Sequence, residues 1–387
     1  MSTHGPIVLA AGGTGGHVFP AEALAAALLD RGARLALITD RRGGTYGGAL
    51  GAMETHRIHA GAIAGTGFAG RLRSGAELAL GTVEARRLLR RLRPVAVVGF
   101  GGYASLPTMF AATMLGLPTM IHEQNAVSGR ANRLLAGRVR RIAPAFDRVA
   151  GLPAGAEARR TTVGMPVRPA ILAARERPYP DLKASEPLRL LVLGGSQGAR
   201  VFSDVIPAAV GLLEADQRRR FSIAQQCRPE DLDRVKDAYA ALDATVDLAP
   251  FFDDVADRLA HSHVVIARAG ASTVAELTAL GRPALFVPYP FAADDHQAAN
   301  AAQVVEADGG WMLFQSGFTA ESLAEHLKSW LAAPAALSTA AAAARAVGRP
   351  DAADRLADLV DELIGANGGS GRSGTGAIGD AARRHAA

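Results

Sequence analysis

The chain has 387 residues, 49% hydrophobic and 20% charged, with one cysteine, Cys227. This is too long for one ordinary core, and it excludes a disordered chain, a disulfide framework and a cysteine-rich zinc site. The formal net charge is only +5 while the sequence pI is about 9.8; no apolar stretch reaches membrane-spanning length, and Met1 to Pro6 lacks the basic start of a secretory signal.

In chain order, Ile7 to Ala11 predicts a strand that delivers Gly12-Gly13-Thr14-Gly15-Gly16-His17 into a helix. Such a loop is an anion site, because unpaired N–H groups and the helix dipole both face it. A dinucleotide reading is open here, with a second strand from Arg34 to Thr39 followed by Asp40, but Val18 stands where the third glycine belongs. No GK[ST] follows, which excludes a P-loop. His17 at the helix mouth, with Pro20 in the first turn, is either a structural cap or a base beside a ligand. Between Arg71 and Arg93 stand seven arginines against two acids, Glu77 and Glu84. That run reads as a solvated helix face, a nucleic-acid site or an anionic-membrane surface, and no nucleic-acid signature accompanies it. Val95 to Val98 predicts a strand before the turn Gly99 to Ser105 and a helix starting at Pro107. Thr119 to His122 predicts another, ending in His122-Glu123-Gln124-Asn125, where open parallel sheets bind ligands.

Pro153 to Thr161 and Glu176 to Pro187 are loop-like and bracket a domain junction. The pattern then restarts. Leu188 to Leu193 delivers a second glycine loop, Gly194 to Ala199, and strands follow at Ser222 to Gln226, Val264 to Ala267 and Ala284 to Pro288. The alternation predicts parallel strands with helical crossovers. Two glycine loops half a chain apart predict two α/β domains facing a shared cleft and a phosphate-bearing substrate. Asp231-Leu232-Asp233 formally matches an acidic metal pattern but reads as a first helical turn, so no metal and no cofactor are expected. Thr273 and Glu276 have capping-box spacing, so Glu276 either caps its own helix or binds ligand. Gln297 and Asn300 share a helical face, and neutral amides suit sugar hydroxyls. Asp351 to Ile364 reads as a last amphipathic helix, and Gly365 to Ala387 as a disordered tail.

Together GGTGGHVFP at 12–20, GFGGY at 99–103, HEQNA at 122–126, GGSQGA at 194–199 and RAGASTVAE at 268–276 resemble the MurG family of bacterial transferases, within glycosyltransferase family 28. The resemblance runs from Ile7 to about Ile364. It implies an α/β fold of the GT-B type, two Rossmann-like domains whose parallel sheets face a central cleft. An acceptor domain at 1–165 and a UDP-sugar domain at 166–345 would be joined by a last helix packing back on the first. The implied reaction is inverting transfer of N-acetylglucosamine (GlcNAc) from UDP-GlcNAc to the 4-hydroxyl of undecaprenyl-pyrophosphoryl-MurNAc-pentapeptide, in peptidoglycan synthesis. The implied setting is the cytoplasmic face of the bacterial inner membrane, with an anionic membrane surface as partner and no nucleic acid.

By position, the resemblance assigns donor contacts to Thr14, Gly15, Gly16, Asn125, Arg168, Ser196, Phe252, Ala271, Ser272, Thr273, Val274, Ala275, Glu276 and Gln297. Phe252 would stand at the uracil, Glu276 on the ribose hydroxyls, Gln297 and Asn300 at the sugar, and Ser196 at the diphosphate. His17 is the candidate base, with Glu123 or His122 as alternatives. Arginines beside Phe68, Leu72, Leu88, Leu89 and Leu92 would hold the membrane surface. Two positions depart from the family's usual motifs: Met165 in Gly164-Met165-Pro166-Val167-Arg168 replaces Asn, and Ala269 after Arg268 replaces Ser. The rival expectations are a UDP-GlcNAc 2-epimerase and a non-catalytic binder of lipid-linked precursors.

Overall fold

The computed structural model describes residues 5–12, 15–41, 48–60, 68–183, 186–195, 198–242, 244 and 246–369. Among these, two six-stranded sheets are parallel throughout. The first holds β1 (Ile7–Ala10), β2 (Leu35–Asp40), β3 (Glu54–Ile58), β4 (Ala96–Gly99), β5 (Thr119–Glu123) and β6 (Arg141–Pro144). The second holds β7 (Leu188–Leu193), β8 (Phe221–Gln226), β9 (Val246–Ala249), β10 (Val264–Ala267), β11 (Ala284–Phe286) and β12 (Gly310–Met312).

The first sheet runs β3-β2-β1-β4-β5-β6 and the second β9-β8-β7-β10-β11-β12, so both have the doubly wound order in which the chain reverses beside the first strand. The reversal falls between β1 and β4 in one sheet and between β7 and β10 in the other. The crossover helices diverge there and leave a crevice above the strands' carboxyl ends. The four glycine-bearing loops of the sequence follow those four strands.

Helices cover both faces of each sheet, which is why the inner strands are fully buried, and β1, β4 and β10 are apolar apart from the glycine that ends β4. On one face of the first sheet, the Gly15–Asp30 helix shares a core with the helix Ala352–Gly369 at the far end of the chain: Leu24 and Leu28 pack with Leu356, Val360 and Leu363. Arg31 fastens this contact, lying 2.7 Å from Asp358 and 2.8 Å from Asp361. The last helix therefore belongs to the first sheet's core although the second sheet precedes it. It runs five residues past Ile364, to Gly369, so the start of the expected tail is helical; residues 370–387 lie outside the described residues. The helix expected to start at Pro107 starts at Gly102 and contains that proline.

Candidate active site

At the first switch point the Gly15–Asp30 helix presents His17 in its first turn. The imidazole lies against Gly101 and Gly102, whose φ values of 79° and 68° let the chain turn after β4. A Cβ on Gly102 would stand 3.1 Å from His17 Cδ2 and 3.2 Å from its Nε2, so the glycine makes the space the ring occupies. His17 Nδ1 is buried and has no hydrogen-bond partner among the described residues. Thr14, from the same loop, lies outside the described residues.

The polar run at the end of β5 does different work from that expected of its acids and bases. Glu123 is buried, and its carboxylate accepts from the Asn125 amide at 3.0 Å, the Gly129 amide at 2.9 Å, Asn132 Nδ2 at 2.9 Å and Ser128 Oγ at 3.4 Å. Three of these donors fall on Oε2 and one on Oε1, so the carboxylate ties the 125–129 loop to the end of β5. His122 is completely buried. Its Nδ1 accepts from Gln124 Nε2 at 3.1 Å, which leaves Nε2–H to donate to the Gly164 carbonyl at 3.1 Å. Burial pushes this imidazole down to about 4. His122 is thus a neutral tie between β5 and the segment that leads into the second sheet.

At the second switch point the Ala271–Leu280 helix starts behind Gly270 and has no side-chain cap. Its first amides, at Ala271, Ser272 and Thr273, therefore have no capping side chain. Glu276 lies in the second turn, too deep for a capping box. Its carboxylate instead takes a two-pronged ion pair from Arg168, with Nε to Oε1 at 2.7 Å and Nη2 to Oε2 at 2.9 Å. Arg168 stands at the end of the inter-domain segment, directly before the Pro169–Arg175 helix, so the pair spans 108 residues of sequence. Val274 and Ala275 line, with Gly164, Met165 and Arg349, a small cavity behind the cleft. Phe252 is buried, with the Arg258 guanidinium 4.0 Å from its ring centroid. Ser196 lies outside the described residues.

Gln297 and Asn300 share the His296–Val305 helix but not a role. Gln297 Oε1 accepts from the Ala269 amide at 3.2 Å and the Tyr289 amide at 2.9 Å, which leaves its Nε2 amino group without a hydrogen-bond partner among the described residues. Asn300, expected to face a sugar, is fully buried and spans the domains. Its Oδ1 accepts from the Ala126 amide at 2.8 Å, and its Nδ2 donates to the Ala269 carbonyl and to Asn125 Oδ1, both at 3.1 Å. Arg133 with Asp294, and Arg349 with Asp147, close the same interface through ion pairs.

The sequence profile of the glycosyltransferase family 28 N-terminal domain matches residues 7–144, and that of the C-terminal domain matches residues 189–356. A UDP-N-acetylglucosamine–N-acetylmuramyl-(pentapeptide) pyrophosphoryl-undecaprenol N-acetylglucosamine transferase of Paramagnetospirillum magneticum is 61% identical over 94% of this chain and 98% of its own. The transferase of the same name from Rhodospirillum centenum is 55% identical over 95% of this chain and 96% of its own. The chain belongs to glycosyltransferase family 28. A crystal structure of Acinetobacter baumannii MurG superposes with a TM-score of 0.77 at 30% identity, covering 92% of this chain and 99% of that one. A UDP-GlcNAc 2-epimerase of Neisseria meningitidis, solved with UDP-GlcNAc, reaches 0.65 at 12% identity over 93% of this chain and 100% of that one. That second likeness is one of fold. Both sheets and the cleft between them are the GT-B architecture of these glycosyltransferases.

Two other sequence features of this family 28 chain gain partners in the structure. Asp231 and Asp233 open the Leu232–Ala240 helix as expected, and Asp231 is held between Arg228 and Arg234 at 3.1 Å each. On the Phe68–Leu92 helix, Leu89 is buried, and Leu88 and Leu92 pack partly onto the first domain's core. The exposed side instead carries Leu72, Leu80 and Val83, continuing into Arg87, Arg90 and Arg91. The side chains of Phe68 and Arg71 lie outside the described residues. No single described helix is long and apolar enough to cross a membrane.

Proposed function

We propose that this family 28 enzyme transfers GlcNAc from UDP-GlcNAc to the 4-hydroxyl of undecaprenyl-pyrophosphoryl-MurNAc-pentapeptide, the lipid-linked step of peptidoglycan synthesis. The carrying observation is near-full-length identity to transferases of that name, together with a cleft whose four loops suit a nucleotide diphosphate and a sugar. The acceptor approaches from the first domain and the donor lies on the second. His17 takes the hydroxyl proton as the new bond forms at the anomeric carbon, and the bond to UDP breaks on the opposite face, which inverts the centre. The departing diphosphate carries its charge onto Arg168 and the amides opening the Arg200–Gly211 and Ala271–Leu280 helices. Glu276 would exchange Arg168 for the ribose hydroxyls as the diphosphate draws the guanidinium away.

An acceptor on a polyprenyl chain stays in the bilayer, because withdrawing it costs about 0.8 kcal/mol per CH₂. The enzyme therefore works at the cytoplasmic membrane surface, and the stripe from Leu72 to Arg91 supports that reading: apolar side chains enter the interface and arginines meet anionic headgroups. The test is incubation with labelled UDP-GlcNAc and a short-chain lipid-linked muramoyl pentapeptide. A disaccharide product is expected; release of free 2-epimerised sugar without transfer would refute the reading.

A further inference from the structure

Behind the cleft lies a cavity of about 110 Å³ that no step of the proposed reaction uses. It sits where the chain crosses between the domains. Phe146 and Met165 wall it from the first domain's outgoing segment, Val274 and Val304 from two helices of the second, and Val347 from the return crossing. Val274 and Thr278 stand two residues to either side of Glu276, hence on the opposite side of that helix. The cavity is therefore separate from the donor face. Met165, Val274 and Val304 are buried at its floor, while the exposed Val347 and Asp147 mark its mouth.

Every polar side chain in its wall is already engaged. Thr278 Oγ1 donates to the Val274 carbonyl at 2.9 Å, and Gln303 bonds the Arg148 main chain through both ends of its amide. Arg349 holds both oxygens of Asp147 at 2.7 Å. A water or a polar ligand inside would find few partners. Met165 strengthens this character, since it puts a thioether where the family's usual motif has Asn. An apolar cavity of roughly 150 Å³ binds benzene, so this one suits a compact hydrocarbon of about that size.

We propose that the cavity is a regulatory site for a compact, uncharged apolar molecule, which braces the two crossings and opposes donor binding. Gly164 and Met165 lead directly into Arg168, and the helix of Val274 carries Glu276. An occupant wedged between them holds the separation at which Arg168 reaches Glu276, at 2.7 and 2.9 Å. Donor binding has to draw that pair apart, so each ligand weakens the other, and equally. This rests on the reading that the donor's ribose takes Glu276 from Arg168.

Benzene is the probe, with the full chain. The protein has seven methionines, and with isotope-labelled methyl groups the Met165 resonance is identified by its loss in Met165→Leu. Benzene-saturated buffer should move that resonance through the ring current and leave Met109 and Met120, in the first domain's core, in place. By titration calorimetry it should also weaken UDP binding by about fivefold or more, the lower end of usual coupling between sites. Val304→Phe fills the cavity with the chain's own ring, so benzene should then change UDP affinity by less than about twofold. If Val304→Phe does not fold, Met165→Asn decides: its amide hydrates the floor, and the effect of benzene should vanish likewise. A folded wild type whose Met165 resonance stays in place, or whose UDP affinity is unchanged by benzene, overturns the proposal. So does a folded Val304→Phe or Met165→Asn with the wild-type response. Wild-type enzyme that fails to bind UDP in plain buffer overturns the reading of the donor site instead.

Discussion

Replacing Glu276 by alanine separates its two partners. In the structure its carboxylate is 13% exposed and engaged by Arg168, which is 44% exposed. A half-exposed pair of this kind contributes about 0.5–1 kcal/mol. A charge-assisted bond from Glu276 to a ribose hydroxyl is worth about 1.5–3 kcal/mol. Donor binding in the wild type must release the first to gain the second, and the variant has neither. The net loss is therefore smaller than the ribose bond, centred on about 1–2 kcal/mol, or roughly 5- to 30-fold in Kd for UDP. Arg168, left without its partner, is exposed enough to hydrate. The melting temperature should fall by only about 1–4 °C, the equivalent of the lost pair. Calorimetric titration with UDP beside a thermal melt reads both quantities. A UDP affinity within twofold of wild type, with the melt lowered as stated, would show that Glu276 serves the inter-domain segment and not the nucleotide.

Loss of His17 should act on turnover: His17→Ala is expected to slow single-turnover transfer by about 10²–10⁴ at saturating substrates, with UDP affinity nearly unchanged. A fall of less than tenfold would send the proton elsewhere. Replacing Arg87, Arg90 and Arg91 by Gln removes about 3 kcal/mol of attraction to an anionic bilayer, so sedimentation with anionic vesicles at low salt should be lost while transfer to a short water-soluble acceptor persists. Persistent sedimentation would make the stripe an ordinary solvated face. Acid should destabilise the fold through His122, which burial pushes down to about 4 from its ordinary 6.5. The unfolded chain then binds a proton the folded one refuses, so stability is full above about pH 6.5 and declines toward pH 4, by on the order of 3 kcal/mol. Denaturant titrations across that range should show a shallower decline in His122→Asn. An equal slope would remove His122 from the account, leaving His263, which burial also pushes down to about 4.

The strands readable from sequence and those that were not divide by position in the sheet. Ile7–Ala10, Ala96–Gly99, Leu188–Leu193 and Val264–Ala267 are central, covered by helices on both faces, and so are written as apolar runs, broken only by Arg189 near the start of the third. The four without a legible signal, Glu54–Ile58, Arg141–Pro144, Val246–Ala249 and Gly310–Met312, are the four sheet edges. An edge strand is short and in three of these partly solvated, so it takes its direction from a neighbour's hydrogen bonds and needs little apolar sequence of its own.

The site divides in a similar way. Glycine loops and helix starts are local objects, fixed by residues adjacent in the chain, so the sequence alone determined where a phosphate-bearing ligand could meet backbone amides. What each polar side chain does there depends on partners far away in the chain. Asn300 and Gln297 look equivalent at a spacing of three, yet one is sealed between two domains and the other is only half-buried and bonded within the second. Glu276 could as well have capped its helix until Arg168 arrived from 108 residues upstream. Glu123 and His122 carry the chemistry of a base, and the fold engages both through distant partners. A hydrogen-bonding group is committed to the partners that the packed chain brings within reach, and only the tertiary structure decides which donors and acceptors remain for a substrate.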